Sequence, residues 1–310
     1  MKRLYGNLFS LILLVAIICI LLDYMSIRGY TRDILARLTD SEEYFVNNGP
    51  DTINPIIRKA KEDDGTTKLI IGDSVANQMF SDLQDNNPDY AILPGNAGVT
   101  MAGQYVIAKE YIDNHPGVTD VYLFTLPESL GRTFDTKWGY QYAVLPFIET
   151  HTLGDLDDNT VIIMENTYGK LFMNEKVAFA VDKSGINRKL YFNYLRDKTD
   201  GYELSYYYEL ADQYLCKLSD YCKERNINFY LYPCPVSEAK KEMVREYEKT
   251  YQDSRLYELF PEYFDNICYY PAEMSGDDTH MKSDDGRMFI NQVIKEAYGE
   301  LPIYKELCID

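Results

Sequence analysis

Short apolar runs alternate with stretches of helical spacing along most of this chain, and that alternation narrows the possible folds more than any other feature. The runs are "TKLIIGDSV", "DYAIL", "DVYLFTL" and "NFYLYPCP", with "FDNICYY" as a fifth. Each is rich in β-branched and aromatic residues, and most are closed by Gly or Pro, as buried strands are. Between them lie "MAGQYVIAKEYIDNH", which stops at Pro116-Gly117, and the long stretch "YELSYYYELADQYLCKLSDYCKERN". A last helix is expected in "SDDGRMFINQVIKEAY", with Ser283 as its N-cap. Strand, helix, strand in this rhythm implies an α/β fold with a parallel sheet covered on both faces and right-handed crossovers.

Two regions break the rhythm. Residues from about 130 to 202 carry Trp138, Tyr140, Tyr142, Phe147, Tyr168 and Phe172, and are expected to form an insertion packed over the mouth of the sheet. The other is the beginning of the chain, where Leu8 to Leu22 is uncharged and almost wholly Leu, Ile and Val. Leu4, Tyr5, Tyr24 and Met25 extend it to about the twenty residues that span a bilayer. Lys2 and Arg3 precede it, so the positive-inside preference puts them in the cytoplasm and everything after Asp23 outside. No A-x-A cleavage site follows, and Ile18 rather than a small residue precedes Cys19, which argues against a cleaved signal or a lipoprotein. A core helix apolar on every face is unusual in a small soluble domain. The expected organisation is an anchor over 1–25 that contacts the lipid bilayer through residues 4–25, a juxtamembrane stalk over 26–66 and a domain over 67–310.

Charge and cysteines limit what the domain does. The formal charge is −18, whereas binding to nucleic acid depends on clustered Lys and Arg, so a nucleic-acid partner is not expected. Six cysteines without CxxC pairs suggest free or buried thiols rather than a disulfide framework or a zinc site, and neither metal nor cofactor is expected. "DLDDNT" places Asp155, Asp157 and Asn159 at alternating positions, but it lacks the glycine and the glutamate of a calcium loop and reads as a solvated acidic turn.

Chemistry is expected at Ser74, which follows the first strand and opens a helix, where a hydroxyl is exposed at the end of the sheet. A serine hydroxyl is a weak nucleophile until a base takes its proton and a third group orients that base. The chain has three histidines. His115 ends a helix before Pro116, and His151 lies within the insertion. His280 follows Asp277 by three residues in a polar loop between the fifth run and the last helix, at the sheet edge where Ser74 is expected. Gly-Asp-Ser alone often marks a plain turn, but with Asp277 and His280 in the right order and context it gains weight.

These two segments, "LIIGDSV" and "DDTH", resemble the first and last sequence blocks of the SGNH (GDSL-like) hydrolase superfamily, over residues 67 to about 298. The resemblance implies a flavodoxin-like three-layer α/β/α sandwich with a Ser74, Asp277 and His280 catalytic triad. It also implies an oxyanion hole built from the Ser74 N–H, a glycine after the second strand and an asparagine after the third. "GNAGVT" supplies Gly98 for the second donor, or Asn96 through its side chain. "FTLPESL" departs from the family's G-x-N-D block, so the third donor is expected from the insertion, with Asn166 as the candidate.

The function implied is an extracytoplasmic serine esterase or O-acyltransferase acting on a cell-surface glycan. The single anchor resembles accessory proteins of cell-envelope acylation, including the teichoic-acid D-alanylation type that works beside a membrane-bound O-acyltransferase. A lipase or thioesterase, and a non-catalytic accessory protein, are the alternatives.

Overall fold

The computed structural model describes residues 2–27, 53–80, 83, 87–95, 100–134, 147, 151–173, 208–282, 287–301 and 303. In chain order the elements are α1 (Lys2–Ile27), α2 (Ile53–Lys61), β1 (Lys68–Gly72), α3 (Ser74–Phe80), β2 (Tyr90–Ile92), α4 (Met101–Asn114), β3 (Asp120–Thr125) and α5 (Pro127–Leu130). They continue with α6 (Asp158–Tyr168), α7 (Glu209–Lys223), β4 (Asn228–Pro233), β5 (Val236–Ser237), α8 (Lys241–Tyr251), α9 (Arg255–Leu259), β6 (Tyr269–Tyr270) and α10 (Arg287–Tyr298).

The main sheet has four parallel strands in the order β2-β1-β3-β4. Side chains alternate cleanly across it, as the period of two requires. Leu69, Ile71, Val121, Leu123 and Leu231 point to one face, where they pack with Ile57 of α2, Val106 and Tyr111 of α4, and Tyr214 and Leu218 of α7. Ile70, Tyr122 and Phe124 point to the other, against Val75, Ala76 and Met79 of α3 and Ile290, Val293 and Ile294 of α10. Burial on both faces is why these strands read as continuous apolar runs.

The fifth run behaves differently. β6 pairs with β5 in a separate two-stranded parallel sheet. Cys234 N–H still donates to Thr125 O at 2.9 Å, but Pro233 and Pro235 on either side of it have no N–H to give. Flanked by prolines, β4 stops in the main sheet, and the chain resumes pairing where Val236 N–H reaches Cys268 O at 2.9 Å.

Two segments pack differently from expectation. α2 lies inside the segment expected as a stalk, yet Ile57 and Ala60 are buried in the core and Thr66 Oγ1 is 2.7 Å from Tyr111 Oη. The folded domain therefore begins before residue 67. In the expected insertion, Phe147, Leu156, Met164 and Tyr168 are buried in the core layer with α4 and α7, on one face of the sheet rather than over its mouth. Trp138, Tyr140 and Tyr142 lie outside the described residues, as does Ser283.

Side chains of α1 are described for residues 7–18 and 20–21, and all are exposed, Leu8, Phe9 and Ile12 among them. The helix is therefore not a core helix of this domain. Among the described residues no helix is long and apolar enough to cross a membrane.

Candidate active site

Each residue of Gly72-Asp73-Ser74 answers to a different physical demand. Gly72 is the last residue of β1, and a Cβ there would collide with the Phe124 carbonyl oxygen of β3 and the Cβ of Ala76. Only glycine lets β1, β3 and α3 approach this closely. Asp73 is buried and caps α3: its Oδ1 accepts from the N–H groups of Val75 at 3.0 Å and Ala76 at 3.3 Å. Its Oδ2 accepts from Leu126 N–H at 2.7 Å, Ser129 Oγ at 2.9 Å and Thr125 Oγ1 at 3.2 Å. One carboxylate thus ties the end of β1 to the end of β3 and to α5. Ser74, the first residue of α3, stands half-buried on this knot. The Asp73 cap occupies the Val75 and Ala76 amides, so of the first three amides of α3 only that of Ser74 is not taken up by this cap.

His280 reaches Ser74 from a loop that follows β6. Its Nε2 is 2.9 Å from Ser74 Oγ, and its Nδ1 is 2.9 Å from Asp277 Oδ2 and 3.2 Å from Oδ1. An ionised carboxylate only accepts, so Asp277 selects the tautomer with the proton on Nδ1 and leaves Nε2 free to take the Ser74 proton. Asp277 is itself oriented by the N–H groups of Thr279 at 2.7 Å and His280 at 2.6 Å, both on Oδ1. Its partial burial opposes ionisation, but those N–H groups and the His280 ring outweigh it and hold the carboxyl below its ordinary range.

Of the residues expected as oxyanion donors beside Ser74, one lies among the described residues. Asn96 and Gly98 lie outside the described residues. Asn166 is exposed on α6, whose buried residues Met164 and Tyr168 belong to the core layer on the sheet face opposite α3, and no described hydrogen bond joins it to Ser74 or His280. The segment "FTLPESL" turns inward, since Leu126 N–H and Ser129 Oγ both serve Asp73. Beside it Glu128 pairs with Lys240 at 3.2 Å, and both line a small cleft with Leu126, Val244, Asp278 and Thr279. A wider depression lined by Asn159, Tyr208, Asp212 and Arg255 shares no residue with the Ser74 and His280 pair.

Several other titratable groups are held in contacts away from Ser74 and His280. His115 is buried, stacks on Tyr111 and places Nδ1 2.9 Å from Tyr111 O and Nε2 3.3 Å from Asp64. Asp155 pairs with Lys109 at 3.0 Å and Asp157 with Lys217 at 2.5 Å, so the acidic turn is held by lysines. Among the described residues no group of three or more His, Cys, Asp or Glu is arranged to hold a metal ion. Cys216, Cys222, Cys234 and Cys268 are free thiols. Cys234 lies 3.8 Å from Asp73, and burial, then the Asp73 charge, push its pKa well up, so it remains a protonated packing residue.

Sequence reasoning missed Asp73 and Gln78. An aspartate immediately before a helix is an N-cap signal, and Gln78 lies four residues after Ser74 on the same helix face, so both had a readable trace. Set beside known proteins, the chain matches no family model, no curated protein and no solved structure.

Proposed function

We propose that this chain is a serine-dependent acyl-ester enzyme of the SGNH (GDSL-like) type, anchored by α1 in a membrane and working outside the cytoplasm on a cell-surface glycan, as an O-acyltransferase or O-acetylesterase. The observation that carries the reading is the continuous line from Asp277 through His280 Nδ1 and Nε2 to Ser74 Oγ, with both gaps at 2.9 Å. The flavodoxin-like sandwich of that family agrees with a parallel sheet packed on two faces. The bilayer reading is supported by the uncharged run Leu8 to Leu22 and by the exposed apolar side chains of α1.

In this reading Ser74 Oγ attacks the ester carbonyl while His280 Nε2 takes the hydroxyl proton. The Ser74 N–H faces the negative charge on the tetrahedral intermediate. Collapse breaks the bond to the leaving alcohol, which receives the proton from His280 and leaves an acyl-Ser74 ester. An acceptor hydroxyl, from a sugar or from water, then gives its proton to His280 as it attacks that ester, and Ser74 regains the proton when the product departs. Asp277 holds the imidazole in one tautomer and faces its positive charge at each step.

The test is reaction of the purified chain with p-nitrophenyl acetate and with a fluorophosphonate. Wild type turns over and is labelled on Ser74, whereas Ser74→Ala loses activity by about 10⁴-fold or more and is not labelled. An unlabelled wild type, or a Ser74→Ala protein as active as wild type, overturns the reading. Adding a carbohydrate acceptor separates the two activities: acylated sugar found by mass spectrometry indicates transfer, and hydrolysis alone indicates an esterase.

A further inference from the structure

Ser74 and Gln78 sit one helical turn apart on the same half-buried side of α3. Gln78 turns its amide toward the backbone of Met281, the neighbour of His280. Its Nε2 donates to Met281 O at 2.7 Å, and its Oε1 accepts from Met281 N–H at 3.1 Å. Both backbone groups of the residue after the histidine are therefore held by the helix that carries the serine.

The rest of the loop is secured in other directions. Gly276 N–H donates to His280 O and Lys282 N–H to Met274 O, each at 2.8 Å, and both bonds lie within the loop. Ser275 Oγ donates to Ser237 Oγ at 2.8 Å, which ties the loop to β5. The Met281 side chain is buried against the α3 and α10 layer, and apolar packing of that kind sets depth without direction. Among the described hydrogen bonds of residues 275–282, those from Gln78 are the ones that reach α3, apart from the His280 to Ser74 bond itself.

We propose that Gln78 is a positioning residue that sets the separation of His280 Nε2 from Ser74 Oγ by gripping the Met281 backbone. This inference rests on the serine-enzyme reading given above. The residue type follows from the chemistry: facing one N–H and one carbonyl at once takes a group that both accepts and donates, and a primary amide does so at any ordinary pH. Glutamate keeps the acceptor but turns a carboxylate oxygen toward the Met281 carbonyl. Methionine keeps the length and the helix preference and makes neither bond.

Gln78→Met and Gln78→Glu test it in the full chain. The first readout is the rate of fluorophosphonate labelling, in which the bond from Ser74 Oγ to phosphorus forms, fluoride leaves and His280 takes the hydroxyl proton. With a folded protein, labelling and kcat for p-nitrophenyl acetate fall at least tenfold, toward the ~10²-fold loss that a misplacement of about 1 Å causes, while KM changes little. A role in folding alone would shift the melting temperature without that split between kcat and KM. The second readout needs no activity: exchange of the Met281 amide hydrogen accelerates in Gln78→Met and less in Gln78→Glu, which retains the acceptor. Wild-type labelling rates together with unchanged Met281 exchange overturn the role of Gln78. A wild type that does not react with fluorophosphonate overturns the serine-enzyme reading alone, and Met281 exchange still decides whether Gln78 holds the loop.

Discussion

Ser74 and His280 meet at one point but are supported in opposite ways. Beneath Ser74, Asp73 is only 9% exposed and takes hydrogen bonds from two amides of α3 and from Thr125, Leu126 and Ser129 across the sheet. Beside His280, the Asp277 side chain is 59% exposed, and its partners lie within the next three residues of its own loop. One aspartate belongs to the tertiary core and the other to a local turn. The position of Ser74 is therefore coupled to global folding, whereas His280 is oriented locally and held to the body by a few bonds. Two aspartates near one site should thus report different quantities, one stability and the other activity.

Replacing Asp277 tests the local side of that contrast and carries the largest expected effect. Asp277→Ala should lower kcat/KM for p-nitrophenyl acetate by roughly 10³- to 10⁴-fold, because the imidazole loses its tautomer and its counter-charge. Its unfolding free energy should stay within about 0.5 kcal/mol of wild type, as for other exposed positions. Urea titration and initial rates on the same preparation measure both, and a large loss of stability would show that the loop is part of the core after all.

Asp73→Ala should produce the reverse pattern. It strands buried N–H and hydroxyl donors on α3, β3 and α5, so the expected loss is on the order of 3 kcal/mol in urea unfolding, with activity falling in step with the folded fraction. Asp73→Asn keeps acceptor capacity on one oxygen and should lose less. If Asp73→Ala unfolds at the same urea concentration as wild type, the knot does not stabilise the serine end of the sheet.

Lowering the pH gives the smallest effect. The Asp277 carboxyl is held below the ordinary value of about 3.9, so its contribution is fully present above that value and is lost as pH falls through the lower folded pKa. Exposure screens the contribution, so the global stability change should be slight and visible mainly as a shift of the Thr279 and His280 amide resonances in acid. Resonances that move only at a pH above the ordinary carboxylate range would contradict the sign.

Much of the fold was legible because buried parallel strands leave a local signature. The first four apolar runs became β1 to β4, and the helix before Pro116 became α4, capped by Thr100, whose side chain accepts from Gly103 N–H at 3.4 Å. The fifth run was harder to place, since its partner depended on where Pro233 and Pro235 ended β4. In the same way, α2 read as part of a stalk because its few apolar residues show their role only against α4.

At the site, sequence alone supplied the residue types: a glycine, an aspartate and a serine between strand and helix, and an aspartate three residues before a histidine. Short-range stereochemistry accounts for these, because a cap, a tight approach and a turn each demand particular side chains within a few residues. What only the tertiary structure decided was the approach of residues 206 positions apart to 2.9 Å, together with the grip of Gln78 on Met281 and the convergence of Thr125 and Ser129 on Asp73. Those contacts arise where β1, β3 and the loop after β6 come together, and no local preference encodes them. They follow from the sheet order β2-β1-β3-β4 and from the packing of α3 and α10 on one of its faces, both of which are properties of the whole core.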